Sequence, residues 1–184
     1  MRRLWATILV LGGVLGVGCG SARAQTGVYA MASGGFVGSS VTSIGSQNGY
    51  SQFGGTFGLY GTILPLGPLK LGADGRYIIE SSGGSTQYGN QLQSGLFGPR
   101  LALFSHAVPF SPYVQFEIGE ASTNYGRFAS RSSSFAYQAQ FGLDYTLIPH
   151  FDLRIEYGTG TIGSDVGGRE GMQQIGAGLV FRFF

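Results

Sequence analysis

The side chains capable of chemistry in this chain are mostly ionised groups set at even spacing. Lys70, Asp74, Arg76 and Glu80 follow one another at intervals of two or four residues, and Arg154 and Glu156 are two apart. Arg100, Glu117, Asp144 and Arg182 each sit between apolar or aromatic neighbours. A period of two is that of a β-strand, so each set faces one side of a sheet. Five cations and five anions on one facing read as a paired internal network, because an unpaired buried ion carries a heavy desolvation cost. A second reading of the same residues is a narrow gated ion path. In it, pairs such as Arg76 or Arg154 with Glu117 or Asp144 rearrange.

Other chemistry is poorly supplied. The two histidines, His106 and His150, both fall near short turns, and no His-x-Ser-Asn run occurs. A general base is thus missing from the side where a lipid-modifying enzyme would act. Those two histidines, with no cysteine beside them, do not make a metal site. Glycine pairs such as Gly167-Gly168 lack the strand–helix setting of a nucleotide loop. Neither enzymatic activity nor a cofactor is expected.

The elements that carry the charges alternate cleanly. In 53–63, Phe53, Phe57, Leu59 and Ile63 oppose Thr56, Tyr60 and Thr62. In 69–80, Leu69, Leu71, Tyr77 and Ile79 oppose the four charges named above. Segment 113–118 sets Val114, Phe116 and Ile118 against Gln115 and Glu117. Segment 135–147 sets Phe135, Tyr137, Phe141, Leu143 and Tyr145 against Gln138, Gln140 and Asp144. In 153–157, Leu153, Ile155 and Tyr157 oppose Arg154 and Glu156. Two segments are less regular. Residues 27–38 do not alternate cleanly, and a bulge is expected at Gly34-Gly35. In 92–104, Pro99 removes a ladder donor in mid-strand, and a bulge is expected there too.

Turns punctuate these segments regularly. Short proline clusters lie at 65–68, 109–112 and 148–150, and polar stretches at 39–51, 82–91, 121–134 and 162–171. Three short and four long connections make eight strands. Transmembrane barrels have short periplasmic turns and longer extracellular loops.

Composition decides what the apolar face meets. Only 11% of residues are charged, against about 25% in soluble domains, yet there are 14 Phe and 10 Tyr. After residue 24 no run approaches the ~18 apolar residues of a membrane helix. A closed barrel is the other way to satisfy every backbone group in hydrocarbon. On its lipid face an Arg or Lys would cost ~2–4 kcal/mol at the midplane, so the charges must point inward. The opposite arrangement, apolar inside and charged outside, is a secreted lipocalin-like ligand binder. So few charges cannot clothe such a surface.

Residues 1–24 read as a cleaved signal peptide and 25–184 as the barrel domain. Arg2 and Arg3 precede the apolar stretch Leu4–Gly18, and Ala22-Arg23-Ala24 makes the cleavage site. Lipidation at Cys19 is a competing reading. Cleavage leaves 160 residues with 8 basic and 9 acidic side chains and no cysteine. That balance implies no nucleic-acid partner.

The signal segment, the eight alternating segments and the final run Gly178-Leu179-Val180-Phe181-Arg182-Phe183-Phe184 resemble small outer-membrane barrels of the OmpA/OmpX/opacity type. The resemblance covers nearly the whole mature chain. It implies an all-β, eight-stranded antiparallel up-and-down transmembrane barrel in the cell outer membrane. It also implies that Gly178, Phe181, Phe183 and Phe184 form the signal read by the barrel assembly machinery. Outer-membrane lipid and lipopolysaccharide are the expected partners, and the expected state is a monomer. No wall-anchoring domain is expected after Phe184. The long loops carry Tyr88, Tyr125, Phe128 and the cations Arg127, Arg131 and Arg169. These three arginines are candidate contacts to lipopolysaccharide phosphates. The expected role is structural or surface-interacting, around a lumen filled with polar side chains.

Overall fold

A computed structural model describes residues 25–39, 49–82, 90–104, 108–125, 132–163 and 169–183. Eight strands are present: β1 (Thr26–Ser39), β2 (Gly49–Leu66), β3 (Leu69–Ser81), β4 (Asn90–Leu103), β5 (Phe110–Tyr125), β6 (Ser132–Ile148), β7 (Phe151–Gly163) and β8 (Arg169–Phe183). Each pairs antiparallel with the next, and β1 pairs with β8 to close the barrel. Closure leaves no strand edge, so every ladder group has a neighbour.

The register fixes the barrel's shape. One line of partners runs Val28, Leu59, Gly75, Phe97, Ile118, Tyr137, Thr161 and Gly171, and returns to β1 at Gly38. The line re-enters β1 ten residues beyond its start, the stagger that accompanies tilted strands. Ten is even, so inward positions stay inward all the way round.

Burial follows the same period. In β7 residues 151–159 alternate strictly between exposed and buried, and β3 does so from Leu71 onward with half-buried Ala73 and Gly75. The exposed set is aromatic and aliphatic, including Phe57, Phe97, Phe116, Phe141 and Ile155. A ring cluster marks the short-turn rim: Phe151 and Phe183 stand 5.0 and 4.9 Å from Phe181, and Phe110 stands 5.1 Å from Tyr145. Such aromatic girdles belong at membrane interfaces. The strands run 13 to 18 residues, longer than the 9–11 or so needed to cross hydrocarbon. They extend into stretches that sequence assigns to loops: β5 continues to Tyr125 and β6 begins at Ser132.

Two expected bulges are absent. Pairing through Gly34 and Gly35 keeps one register with both β2 and β8. The glycines there answer a packing need instead. A Cβ on Gly35 would lie 2.8 Å from the Glu80 carboxylate and 2.9 Å from the Gln173 carbonyl. Pro99 is also accommodated without a shift: its pairing with Ala73 of β3 is regular. Toward β5 the ladder passes from Phe97–Ile118 to Arg100–Gln115 in unchanged register, omitting the steps at Gly98 and Pro99. The neighbouring Gly98 has no Cβ to overlap the Phe116 carbonyl, so the strands stay close. The register shifts that do occur are between Thr62 and Leu64 and between Thr146 and Ile148. Both adjoin short turns, and both place consecutive apolar residues, Ile63-Leu64 and Leu147-Ile148, on the outer face.

A barrel closed in this way should resist detergent at room temperature. Unboiled protein from an outer-membrane fraction is expected to migrate differently from boiled protein on a denaturing gel. Identical migration would count against closure.

Candidate functional site: the barrel interior

The inward positions build a layered interior. Asp74, Arg76, Glu80, Arg100, Glu117, Asp144, Arg154 and Glu156 are all buried within it, while Lys70 and Arg182 are half-buried near the short turns. Arg154 and Glu117 have no exposed surface.

At mid-barrel one guanidinium serves three carboxylates. Arg76 donates Nη2–H to Glu156 at 3.0 Å and also pairs with it through Nη1. Its Nε is 2.9 Å from Glu117 and 3.7 Å from Asp74. Neutral donors complete the carboxylates. The Tyr29 hydroxyl donates to Asp74 at 2.6 Å and the Tyr113 hydroxyl to Glu156 at 2.6 Å. The Gln140 amide donates to Glu117 at 3.1 Å.

From there a chain of amides climbs away from the short turns. Gln140 donates to Gln138 at 2.7 Å, Gln138 to Gln174 at 3.2 Å, and Gln174 to Glu80 at 2.6 Å. Val37, Ile78, Leu92, Leu96, Ala121, Ala136, Ile162 and Met172 form one buried cluster toward the long-loop end, interleaved with buried Gln52, Glu80 and Ser94. Apolar side chains therefore predominate at that end, and charged ones through the middle and the short-turn end.

Below Arg76, toward the short turns, lies a cation–aromatic stack. Asp144 accepts from Arg154 Nε at 2.7 Å and Nη2 at 2.8 Å, and from Arg100 Nη2 at 2.8 Å. The Arg100 guanidinium sits between the rings of Tyr60 and Tyr113, 3.9 and 4.0 Å from their centroids. Arg154 lies 4.3 Å from the Tyr29 ring and 4.7 Å from Tyr113. Cation–π contact of this kind gains strength where water is excluded. Each tyrosine faces a glycine directly across the ladder: Tyr29–Gly58, Tyr60–Gly27 and Tyr113–Gly142. A Cβ at any of these glycines would run into the tyrosine ring.

At the mouth, Arg182 is 2.7 Å from Asp152, and Lys70 donates to the Gln25 side chain at 2.8 Å. His150 lies in the turn, where its Nδ1 is 3.1 Å from the Arg182 carbonyl. No cluster of metal-ligating side chains occurs among the described residues.

Asp152 and the three tyrosines are members that sequence reasoning did not assign. The signal for Asp152 was available, since it stands two residues before Arg154 on the same face. The tyrosine–glycine matches needed the register. Of the loop candidates, Arg127 and Arg131 lie outside the described residues, as do Tyr88, Phe128, His106 and Phe184. Arg169 opens β8, with its side chain undescribed, and Tyr125 ends β5. Gly178, Phe181 and Phe183 lie in β8, both phenylalanines on the outer face. With ionised groups inside and aromatic groups outside, the facing is the reverse of a lipocalin-like binder.

A family model described as "Outer membrane protein beta-barrel domain" matches residues 7–183. Neisserial surface protein A superposes with a TM-score of 0.64 at 17% identity, covering 86% of this chain and 97% of that one. Ail, the attachment invasion locus protein of Yersinia pestis, gives 0.56 at 14% identity, over 87% and 100%, in a complex with the heparin analogue sucrose octasulfate. The N-terminal barrel domain of Pseudomonas aeruginosa OprF gives 0.51 at 16% identity, over 88% and 100%. No curated protein matches the chain by sequence.

Two substitutions probe the interior through reversible unfolding in detergent or lipid. Arg154→Ala strips the Asp144 carboxylate of its two-point partner and should destabilise the barrel by about 3–5 kcal/mol. Gly142→Val should displace the Tyr113 ring and cost about 1–3 kcal/mol.

Proposed function

The chain belongs to the outer membrane protein β-barrel domain family and is a protein of the outer membrane, and on that premise we propose that it works through its surface rather than its lumen. The lumen serves as a packed core. The observation that carries this reading is the run of side-chain clusters that occupies mid-barrel, from the Arg154–Asp144 pair through the Arg76 cluster to the buried layer above it. An eight-stranded barrel is wide enough only for its own side chains. A filled lumen anchors the barrel and leaves recognition to what the strands present outside the bilayer.

The proposed assignments follow from that division. Residues 1–24 direct export and are removed, leaving 25–184 as the barrel. Gly178, Phe181, Phe183 and Phe184 are read by the barrel assembly machinery during insertion. The inserted barrel is a monomer with no catalytic role. Arg127, Arg131 and Arg169 on the long-loop side contact phosphates of lipopolysaccharide or comparable polyanions. The Ail complex with a polysulfated sugar is consistent with a polyanion partner for a barrel of this fold.

Two measurements test the reading. Folded protein in a planar bilayer should stay silent across voltages, whereas discrete conductance steps would favour the narrow gated path. Changing Arg127, Arg131 and Arg169 together to Ala should abolish binding to lipopolysaccharide vesicles while heat-modifiable migration is retained. Undiminished binding would remove the surface assignment.

A further inference from the structure

The ends of the lumen differ in kind. The long-loop end holds the apolar cluster of Val37, Leu92, Ile162, Met172 and their neighbours, with buried Gln52 and Glu80 among them. At the short-turn end a cavity of about 30 Å³ is lined by Gln25, Lys70, Phe104, Arg100 and Arg182 together with Asp144 and Asp152. One buried water needs roughly 10–15 Å³ measured this way. The space therefore admits more than one water-sized group, enough for a small polyatomic ion.

Charge is unevenly divided along the axis. At mid-barrel Arg76 pairs with three carboxylates, Asp74, Glu117 and Glu156. At the mouth the balance reverses. Among the described residues three cations, Lys70, Arg100 and Arg182, and two carboxylates, Asp144 and Asp152, line the cavity, and Asp144 is shared between Arg100 and Arg154 behind it. Lys70 has an amide oxygen and the Phe104 ring, 3.8 Å from its centroid, but no carboxylate within ion-pair distance among the described residues. Arg100, 4% exposed, keeps Nε and Nη1 without an acceptor, and Arg182 likewise keeps Nε. Low-dielectric walls around a cleft of one sign concentrate its field on whatever enters.

We propose that the short-turn mouth of the barrel is a binding site for a small oxyanion of the phosphate or carboxylate class, held by Lys70 and Arg182 with Arg100 behind them. The mouth faces the periplasm, because short turns mark that side. An oxyanion there supplies acceptors to the free cationic donors and offsets the local excess of positive charge. Asp152 sets the affinity by competing for Arg182.

The test is a titration of the folded protein with inorganic phosphate, in maltoside micelles free of phospholipid, followed by phosphorus NMR linewidth or calorimetry. Saturable binding at one site per barrel is expected. Lys70→Gln should weaken it by about tenfold or more, the loss of one charge-assisted contact. Asp152→Asn should tighten it by releasing Arg182. Heat-modifiable migration verifies folding of each variant. Repeating the titration in phosphatidylglycerol nanodiscs separates the sources. Unchanged affinity identifies a free periplasmic anion, and reduced uptake identifies a lipid headgroup on the same residues. No saturable binding would overturn the site, as would equal affinity in Lys70→Gln. An adventitious surface ion would show as non-saturable uptake insensitive to both Lys70→Gln and Asp152→Asn.

Discussion

Hydrocarbon offers neither a hydrogen-bond partner nor a stabilising dielectric, and that single fact shapes this molecule. Each backbone N–H and C=O must find its partner within the sheet, which forces β1 onto β8 and closes the ring. Ionised side chains must leave the outer face, which fixes the register of each strand. The two demands are compatible only because the ten-residue stagger is even and the strand period is two. Most inward charges then meet other inward charges, while Glu80 is answered by the Gln174 amide and Lys70 by the Gln25 side chain. The Arg76 and Arg154 clusters are the result, and the outer stripe of Phe, Leu and Ile is their counterpart.

Within the closed ring, packing works by pairs across the ladder. Tyr29, Tyr60 and Tyr113 each fold over a glycine on the neighbouring strand, which frees room for a guanidinium between the rings. The arginines are held on their flat faces by aromatic rings and on their edges by Asp144 and Glu156. The charge network and the aromatic stack are thus one structure, since Tyr113 stacks on Arg100 and donates to Glu156. The change from a cation-rich mouth to a far end where apolar side chains predominate gives the interior a direction. A lumen stabilised only by pairing would show none.

The facing of the strands was legible in sequence because alternation depends on residue type alone. Phe116–Glu117–Ile118 and Arg154–Ile155–Glu156 declare their two sides without knowledge of any neighbour. Features that depend on the neighbouring strand were not legible. Gly34-Gly35 suggested a bulge by its conformational freedom, but its role is to make room for Glu80 and the Gln173 carbonyl. Pro99 suggested a bulge through its missing donor, yet two omitted steps in the ladder toward β5, at Gly98 and Pro99, suffice. The two bulges that exist sit where short turns join the strands, at Ile63 and Leu147, and ordinary aliphatic residues carry them. The polar loops were read too long because Ser, Asn and Gln suit a strand once it rises out of hydrocarbon into water. Asp152 and the tyrosine–glycine matches complete the interior, and only the register of β1 with β2 and of β5 with β6 reveals the latter.

Which medium touches the aromatic stripe decides between this architecture and any soluble one. The chain's one tryptophan, Trp5, lies within the first 24 residues, so a tryptophan placed elsewhere reports its own surroundings in the processed protein. Phe97→Trp, Phe116→Trp, Phe141→Trp and Ile155→Trp, each in vesicles whose acyl chains carry bromine, should all be strongly quenched and shielded from acrylamide. Tryptophans at these positions that ignored the brominated chains and yielded to acrylamide would contradict the account.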